Sequence, residues 1–203
     1  MVTMTDTHWP DYYAVTVYRP AWHTVSEAIA LFETGVPGAG PFLAVDLGCG
    51  AGRDARELLR NGWRVLAVDL EQAALDSLVA ATPAEDLVRL EGVVADLATF
   101  PIPPCDLVNA SVSLQFLGEP DLAGVFERIT AALASGGRFT GLVYGDRDEA
   151  AGEEGITCVS EGRLRGLLGA FEIESWTERE EDGKMALGDP HHVHLFEVVA
   201  RRR

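Results

Sequence analysis

Three aspartates, each closing a short apolar run, are the residues of this chain best spaced to hold a ligand. Asp46 leads into Gly48-Cys49-Gly50-Ala51-Gly52-Arg53, a glycine turn that lets backbone approach a ligand closely but carries little specificity alone. A dinucleotide fingerprint needs glycine where Arg53 stands, and the turn lacks the Lys-Ser/Thr pair of a phosphate loop. Asp46 would repel a pyrophosphate and attract an amino group. Asp69 closes the next run and suits bidentate hydrogen bonds to ribose hydroxyls, with apolar Leu70 beside it to lie on a base. Asp96, followed by Leu97, can accept from an exocyclic amine. The three acids together describe a site for a cationic nucleoside joined to an amino acid.

Other chemistry-bearing residues are fewer. His191 and His192 open the last apolar run and are the general-base candidates, the alternative being structural histidines. Strand alternation puts His192 and His194 on one face, but no carboxylate is spaced in sequence to complete a metal site, so no metal is expected. His8 and His23 carry no motif and read as structural. Cys49, Cys105 and Cys158 are odd in number and widely spaced, which fits neither a disulfide framework nor a zinc cluster and implies a reducing, cytoplasmic compartment.

The elements that must position these residues alternate. Helical spacing of Val25, Ala28, Ile29 and Phe32 is followed by a break over 35–41 and a strand over 42–47. Then come a helix over 53–61, a strand over 64–68, a helix over 71–81 and a strand over 87–94. Beyond the proline-rich loop lie a strand over 106–109, a helix over 119–134 and a strand over 138–144. Such alternation makes an α/β, doubly wound, mostly parallel sheet, with ligands at the carboxyl edge of the strands. Two long strands over 171–180 and 192–201 follow with no room for a helix between them, so they pair antiparallel.

Residues 1–20 contain two prolines and read as an arm rather than a core element. Its Tyr12, Tyr13 and Tyr18, with Trp9 and Trp22, are candidates for a lid over a planar acceptor. The whole chain of 203 residues reads as one domain, with 1–34 as arm, helix and lid and 35–203 as core. The acidic stretch 145–155 lacks apolar anchors and is expected to be mobile, and its charge disfavours anionic acceptors. A net charge of −16 argues against nucleic acid as a partner, since phosphates would be repelled over most of the surface. The basic end, Arg201 to Arg203, reads as a solvated terminus. No signal peptide and no apolar run near 20 residues is present, so no membrane partner is expected.

Val45-Asp46-Leu47-Gly48-Cys49-Gly50-Ala51-Gly52, with Val68-Asp69, Ala95-Asp96-Leu97 and Asp106-Leu107-Val108-Asn109-Ala110-Ser111, resembles the class I S-adenosylmethionine-dependent methyltransferases. The likeness extends to the terminal hairpin and an antiparallel seventh strand. Tyr12-Tyr13 to Arg19-Pro20, the Gly136-Gly137-Arg138-Phe139 turn and the His191-to-Phe196 segment resemble the small tellurite-resistance and thiopurine types. The resemblance implies a Rossmann-like seven-stranded fold and S-adenosylmethionine as cofactor. It puts Asp46, Gly48, Cys49, Gly50 and Gly52 at the methionine part, Asp69 and Leu70 at the ribose and base, Asp96 and Leu97 at adenine, and Asn109 and Ala110 at the methionine amino group. Arg53, Arg19 and Tyr13 are candidates for its carboxylate. The implied activity is methyl transfer to an O, N or S atom of a small molecule. The alternative is a fold relative that binds the same cofactor for non-methylating chemistry or for binding alone. Asn109-Ala110-Ser111-Val112 replaces the Asn/Asp-Pro-Pro-aromatic signature for planar amino groups, and a single lysine, Lys184, leaves no lysine-centred ribose methylation site.

Overall fold

The computed structural model describes residues 8–33 and 42–203. Seven strands form one sheet in the order β3-β2-β1-β4-β5-β7-β6. They are β1 (Leu43–Leu47), β2 (Arg64–Asp69), β3 (Leu90–Val94), β4 (Cys105–Ser111), β5 (Leu133–Tyr144), β6 (Phe171–Lys184) and β7 (Pro190–Arg202). The first five pair in parallel, and β7 lies antiparallel between β5 and β6. This is the Rossmann-like arrangement expected from the alternating pattern.

Both faces of the sheet are covered because its strands are apolar on both sides. α2 (His23–Glu33), α3 (Arg53–Arg60) and α4 (Gln72–Ala81) cover one face, where Val25, Ile29, Leu58, Leu59 and Leu78 meet Val65 and Leu107. On the other face α6 (Glu119–Ala132) presents Leu122, Val125, Phe126 and Ile129, a helical stripe, to Val108, Phe139 and Val198. The reversal of strand order between β1 and β4 opens a crevice at their carboxyl ends.

Four differences from the sequence pattern have physical causes. The arm contains a helix, α1 (Trp9–Thr16), because Pro10 stands in its first turn, where a missing N–H breaks no helical bond. Trp9, Tyr12, Tyr13 and Thr16 then share a face, and Tyr13 and Thr16 are buried. A four-residue turn, α5 (Ala84–Leu87), precedes β3, and α7 (Glu161–Leu167) precedes β6, its start capped by Ser160 Oγ accepting from the Arg163 amide at 3.3 Å. The strands of the terminal hairpin run further than expected and leave only 185–189 between them. The expected break over 35–41 falls outside the described residues.

The fourth difference concerns 145–155, which is anchored rather than loose. Ala150 is fully buried there, and Asp148 is buried with both oxygens in use. Its Oδ1 accepts from the Ala150 amide at 3.0 Å and faces His191 Nε2 at 2.8 Å, while Oδ2 accepts from the His194 amide at 2.9 Å. One buried acid ties the loop to the start of β7. Asp148→Ala leaves those donors without an acceptor and is expected to cost about 3 kcal/mol in urea denaturation. Faster amide exchange confined to 145–155 should accompany it; unchanged stability and exchange would show that the loop is held elsewhere.

Candidate functional site

The register of the sheet brings the site together. Asp46 on β1 pairs with Asn109 on β4, and α3 begins seven residues after Asp46, so Asp54 in its first turn turns back over the same point. The Asn109 amide donates from one nitrogen to Asp46 Oδ1 at 2.7 Å and to Asp54 Oδ2 at 3.1 Å. Ser111 Oγ donates to Asn109 Oδ1 at 3.1 Å, which fixes the amide with its nitrogen toward the acids. Asp54 Oδ1 accepts from the Trp22 amide at 2.9 Å. Asp46 Oδ2, buried, has no hydrogen-bond partner among the described residues.

Two buried carboxyls that share one amide cannot both ionise freely. Burial and the neighbouring Asp54 raise Asp46 to about 8 against the pull of Asn109, and burial likewise raises Asp54. Asp69 sits at the end of β2, where burial raises it while amides oppose the rise. Its oxygens accept from the Gly50 amide at 2.8 Å and the Glu71 amide at 3.1 Å, so the carboxylate orients the glycine turn. Burial, with Asp46 and Asp69 nearby, pushes the Cys49 thiol well above its ordinary value and leaves it no nucleophile.

The glycine turn is shaped by contact as well as conformation. A Cβ on Gly48 would stand 2.3 Å from the Ser113 Cβ, and one on Gly52 would stand 2.1 Å from the Leu78 Cδ1. Both have left-handed backbone, φ 72° and 79°. At Gly50 only the edge of the Tyr13 ring lies within 4.0 Å, so the missing side chain leaves room in the cleft.

That cleft, about 1100 Å³ and open to solvent, gathers most of the residues expected from sequence: Tyr13, Asp46, Gly48, Cys49, Gly50, Arg53, Asp69, Leu70, Asp96 and Leu97 all line it. Gly52, Asn109 and Ala110 stand behind the lining. Gly52 packs on Leu78, Asn109 holds the acids and Ala110 is in the core. Trp9, Tyr12, Trp22 and Phe116 roof the cleft, Trp9 meeting Phe116 edge-on at 5.6 Å. Tyr18, grouped with these aromatics from sequence, is 83% exposed and lines neither cavity.

A second cavity, about 2140 Å³ with the open solvent at its mouth included, shares Trp9, Tyr12, Trp22, Arg53, Val112 and Phe116 with the first. Arg19 and His191 lie here, not in the first. His192 lines neither cavity. It points to the far side of β7, where hydrogen bonds to Asp182 and Glu180 raise its pKa. The hairpin also brings Glu178 and Glu180 to His194, a carboxylate pair that spacing within one strand does not reveal. Arg147 sits among these three groups, donating to both glutamates and standing 3.1 Å from His194 Nε2, so a guanidinium already neutralises them.

Sequence reasoning missed Asp54, although it follows the glycine turn directly, because its role depends on a partner 55 residues away. It also missed Val112, which lines both cavities at φ 56°, a left-handed conformation unfavourable for a β-branched residue. Nothing local in the sequence marks that position.

The Asp46 environment predicts a pH dependence of the free protein. Asp46 is raised from 3.8 to about 8, so between those values the folded state holds a proton that the unfolded chain releases. Stability therefore falls as pH rises through that window and levels above it. Asp46→Asn keeps the acceptor for Asn109 but cannot ionise. It is expected to lose about 4 kcal/mol less than wild type between pH 5 and 8.5 in urea denaturation. Identical pH profiles would contradict the assignment.

Comparison with known proteins agrees with this geometry. Residues 44–137 match the family model of a methyltransferase domain. Trans-aconitate 2-methyltransferase from Methylobacterium radiotolerans is 37% identical over 105 residues, covering 50% of this chain and 38% of that protein. Carboxy-S-adenosyl-L-methionine synthase from Psychrobacter arcticus is 34% identical over 100 residues, covering 45% and 37%. The chain thus spans under two fifths of the length of either relative. The crystal structure of TehB from Haemophilus influenzae superposes with a TM-score of 0.73 at 17% identity, covering 90% of this chain and 63% of that one. Residues 44–137 of this chain are thus similar to the methyltransferase-domain family, and the seven-stranded sheet they help to build has the fold of the class I S-adenosylmethionine-dependent methyltransferases.

Proposed function

We propose that the first cleft binds S-adenosylmethionine and that the protein transfers its methyl group to a small molecule held in the adjoining cavity. The observation that carries this reading is the buried, unpartnered Asp46 oxygen facing a glycine turn, with Asp69 at the next strand end. A buried carboxyl oxygen without a partner is costly, and an ammonium group satisfies it. The donor set fits the cofactor. Asp46 accepts from its amino group, and Asp69 has acceptor capacity left for two ribose hydroxyls. Leu70, 64% exposed beside the cleft, offers an apolar face to the base, and Asp96 with Leu97 completes the adenine side. Arg53, at the border of the two cavities, serves the carboxylate.

The chemistry such a cofactor supplies is an electrophilic methyl group on a sulfonium that departs as a neutral thioether. The work left to the protein is placement and exclusion of water. Trp9, Tyr12, Tyr13 and Trp22 close the cleft, so α1 and the start of α2 act as the lid of one catalytic domain. His191, its Nε2 engaged by Asp148 at 2.8 Å, is held at the wall of the second cavity as a base for an acceptor that must lose a proton. The names of the relatives favour a small acceptor. One of them is a synthase rather than a methyltransferase, which keeps non-methylating chemistry as the second reading.

Incubation with labelled S-adenosylmethionine and a cell extract should label small molecules and release S-adenosylhomocysteine. Asp69→Ala should weaken cofactor binding at least about tenfold by calorimetry. Absence of cofactor binding, or label confined to macromolecules, would overturn the proposal, while turnover without S-adenosylhomocysteine would favour the second reading.

A further inference from the structure

Positive charge converges where the two cavities meet, in a protein whose net charge is −16. Arg19, Arg53, Arg179 and Lys184 line the second cavity. Two of the guanidiniums approach the Trp22 ring, Arg53 at 4.2 Å from its centroid and Arg179 at 6.0 Å. Arg179 is neutralised by Glu197 at 3.0 Å and Glu181 at 2.7 Å. Arg19 and Arg53 are not. Arg19 donates to the Ala186 carbonyl at 3.1 Å and Arg53 to the Pro20 carbonyl, and among the described residues neither forms an ion pair. Lys184 forms none either. A guanidinium or ammonium at a cavity wall that has only carbonyl partners, or no ion pair, retains the capacity to pair with a ligand anion.

The cavity also contains three acids, and they limit how much anion it can take. Glu149 accepts from the His192 amide at 2.9 Å and stands 3.7 Å from His191 Nδ1, so it is drawn to the β7 wall. Glu153 and Asp189 lie on the loop after β5 and at the foot of β7. Asp148 of the same loop is turned inward and does not line the cavity. With Arg179 already paired to Glu197 and Glu181, three cations stand against these three acids, so the cavity suits a single negative charge placed at Arg19 rather than a dianion. The remaining wall is largely aromatic and apolar: Trp9, Tyr12, Trp22, Phe116, Tyr144 and Met185.

We infer that the methyl acceptor is a small organic acid with a planar apolar body, its carboxylate held by Arg19 with Lys184 adding positive potential. This rests on the methyltransferase reading of the adjoining cleft. The planar guanidinium fork matches a carboxylate, and the aromatic wall matches a conjugated or aromatic body. The cavity thereby reverses the expectation, drawn from the acidity of 145–155, that anionic acceptors are disfavoured.

The test is calorimetric titration of protein saturated with S-adenosylhomocysteine, using cinnamate and its neutral counterpart cinnamamide as probes. Cinnamate is expected to bind at least about tenfold more tightly, with the difference shrinking as salt is raised. Arg19→Gln and Lys184→Gln should each remove most of that difference while S-adenosylhomocysteine affinity stays unchanged. Equal binding of the two probes, or binding of neither to protein that binds S-adenosylhomocysteine, overturns the inference. So does an Arg19→Gln variant that weakens S-adenosylhomocysteine and leaves cinnamate untouched, since the guanidinium would then serve the cofactor's own carboxylate. Failure of S-adenosylhomocysteine to bind wild type sinks the methyltransferase reading itself and the inference with it.

Discussion

Two buried carboxyls, Asp46 and Asp54, share the nitrogen of a single amide, and one of their oxygens is left without a partner. Much of the surrounding structure answers to that constraint. Asn109 must present its nitrogen to the acids, so Ser111 on the same strand fixes its orientation. Asp54 must reach the end of β1, so α3 starts immediately after a turn whose glycines make contacts no side chain would permit. The Trp22 amide on Asp54 then sets where the N-terminal segment crosses the site. A folded protein retains such an expensive arrangement where a ligand completes it.

The same constraint links the first cleft to its roof. Trp22 receives its backbone position from Asp54, and its ring receives Arg53, the preceding residue of the same helix turn. The acid pair at Asp46 is thereby connected, through Asp54, to Trp22, which lines both cavities. Tyr12 lies on that border, and burial raises its pKa despite Arg53 and Arg19 nearby. The phenol stays neutral there and remains a hydrogen-bond donor. Beyond it, the second cavity reads as the acceptor's place because it is larger, continuous with the first and edged by the His191 that Asp148 holds.

Much of this was legible from residue order alone, for identifiable reasons. Asp46, Asp69 and Asp96 each stand where an apolar run stops, and parallel strands end at one edge, so three positions distant in sequence had to converge. The antiparallel seventh strand followed from a connection too short to hold a helix. What stayed hidden depended on pairing across the fold. Pro10 looked like a breaker until it stood in a first helical turn. The loop over 145–155 looked unanchored because its anchor, Asp148, binds residues more than 40 positions away on β7. Glu178 and Glu180 joined His194 only through the register of the β6–β7 hairpin. His191 and His192, neighbours in sequence, part company because alternate residues of a strand face opposite ways.

In the proposed complex a ligand ammonium takes the place of the proton that Asp46 holds in the free protein. Calorimetry of S-adenosylhomocysteine binding near pH 6.5, repeated in buffers of different ionisation enthalpy, counts the protons exchanged. Release of about one proton per ligand by wild type, and of none by Asp46→Asn, is the predicted result. Binding of equal affinity by both proteins with no proton released by either would contradict it.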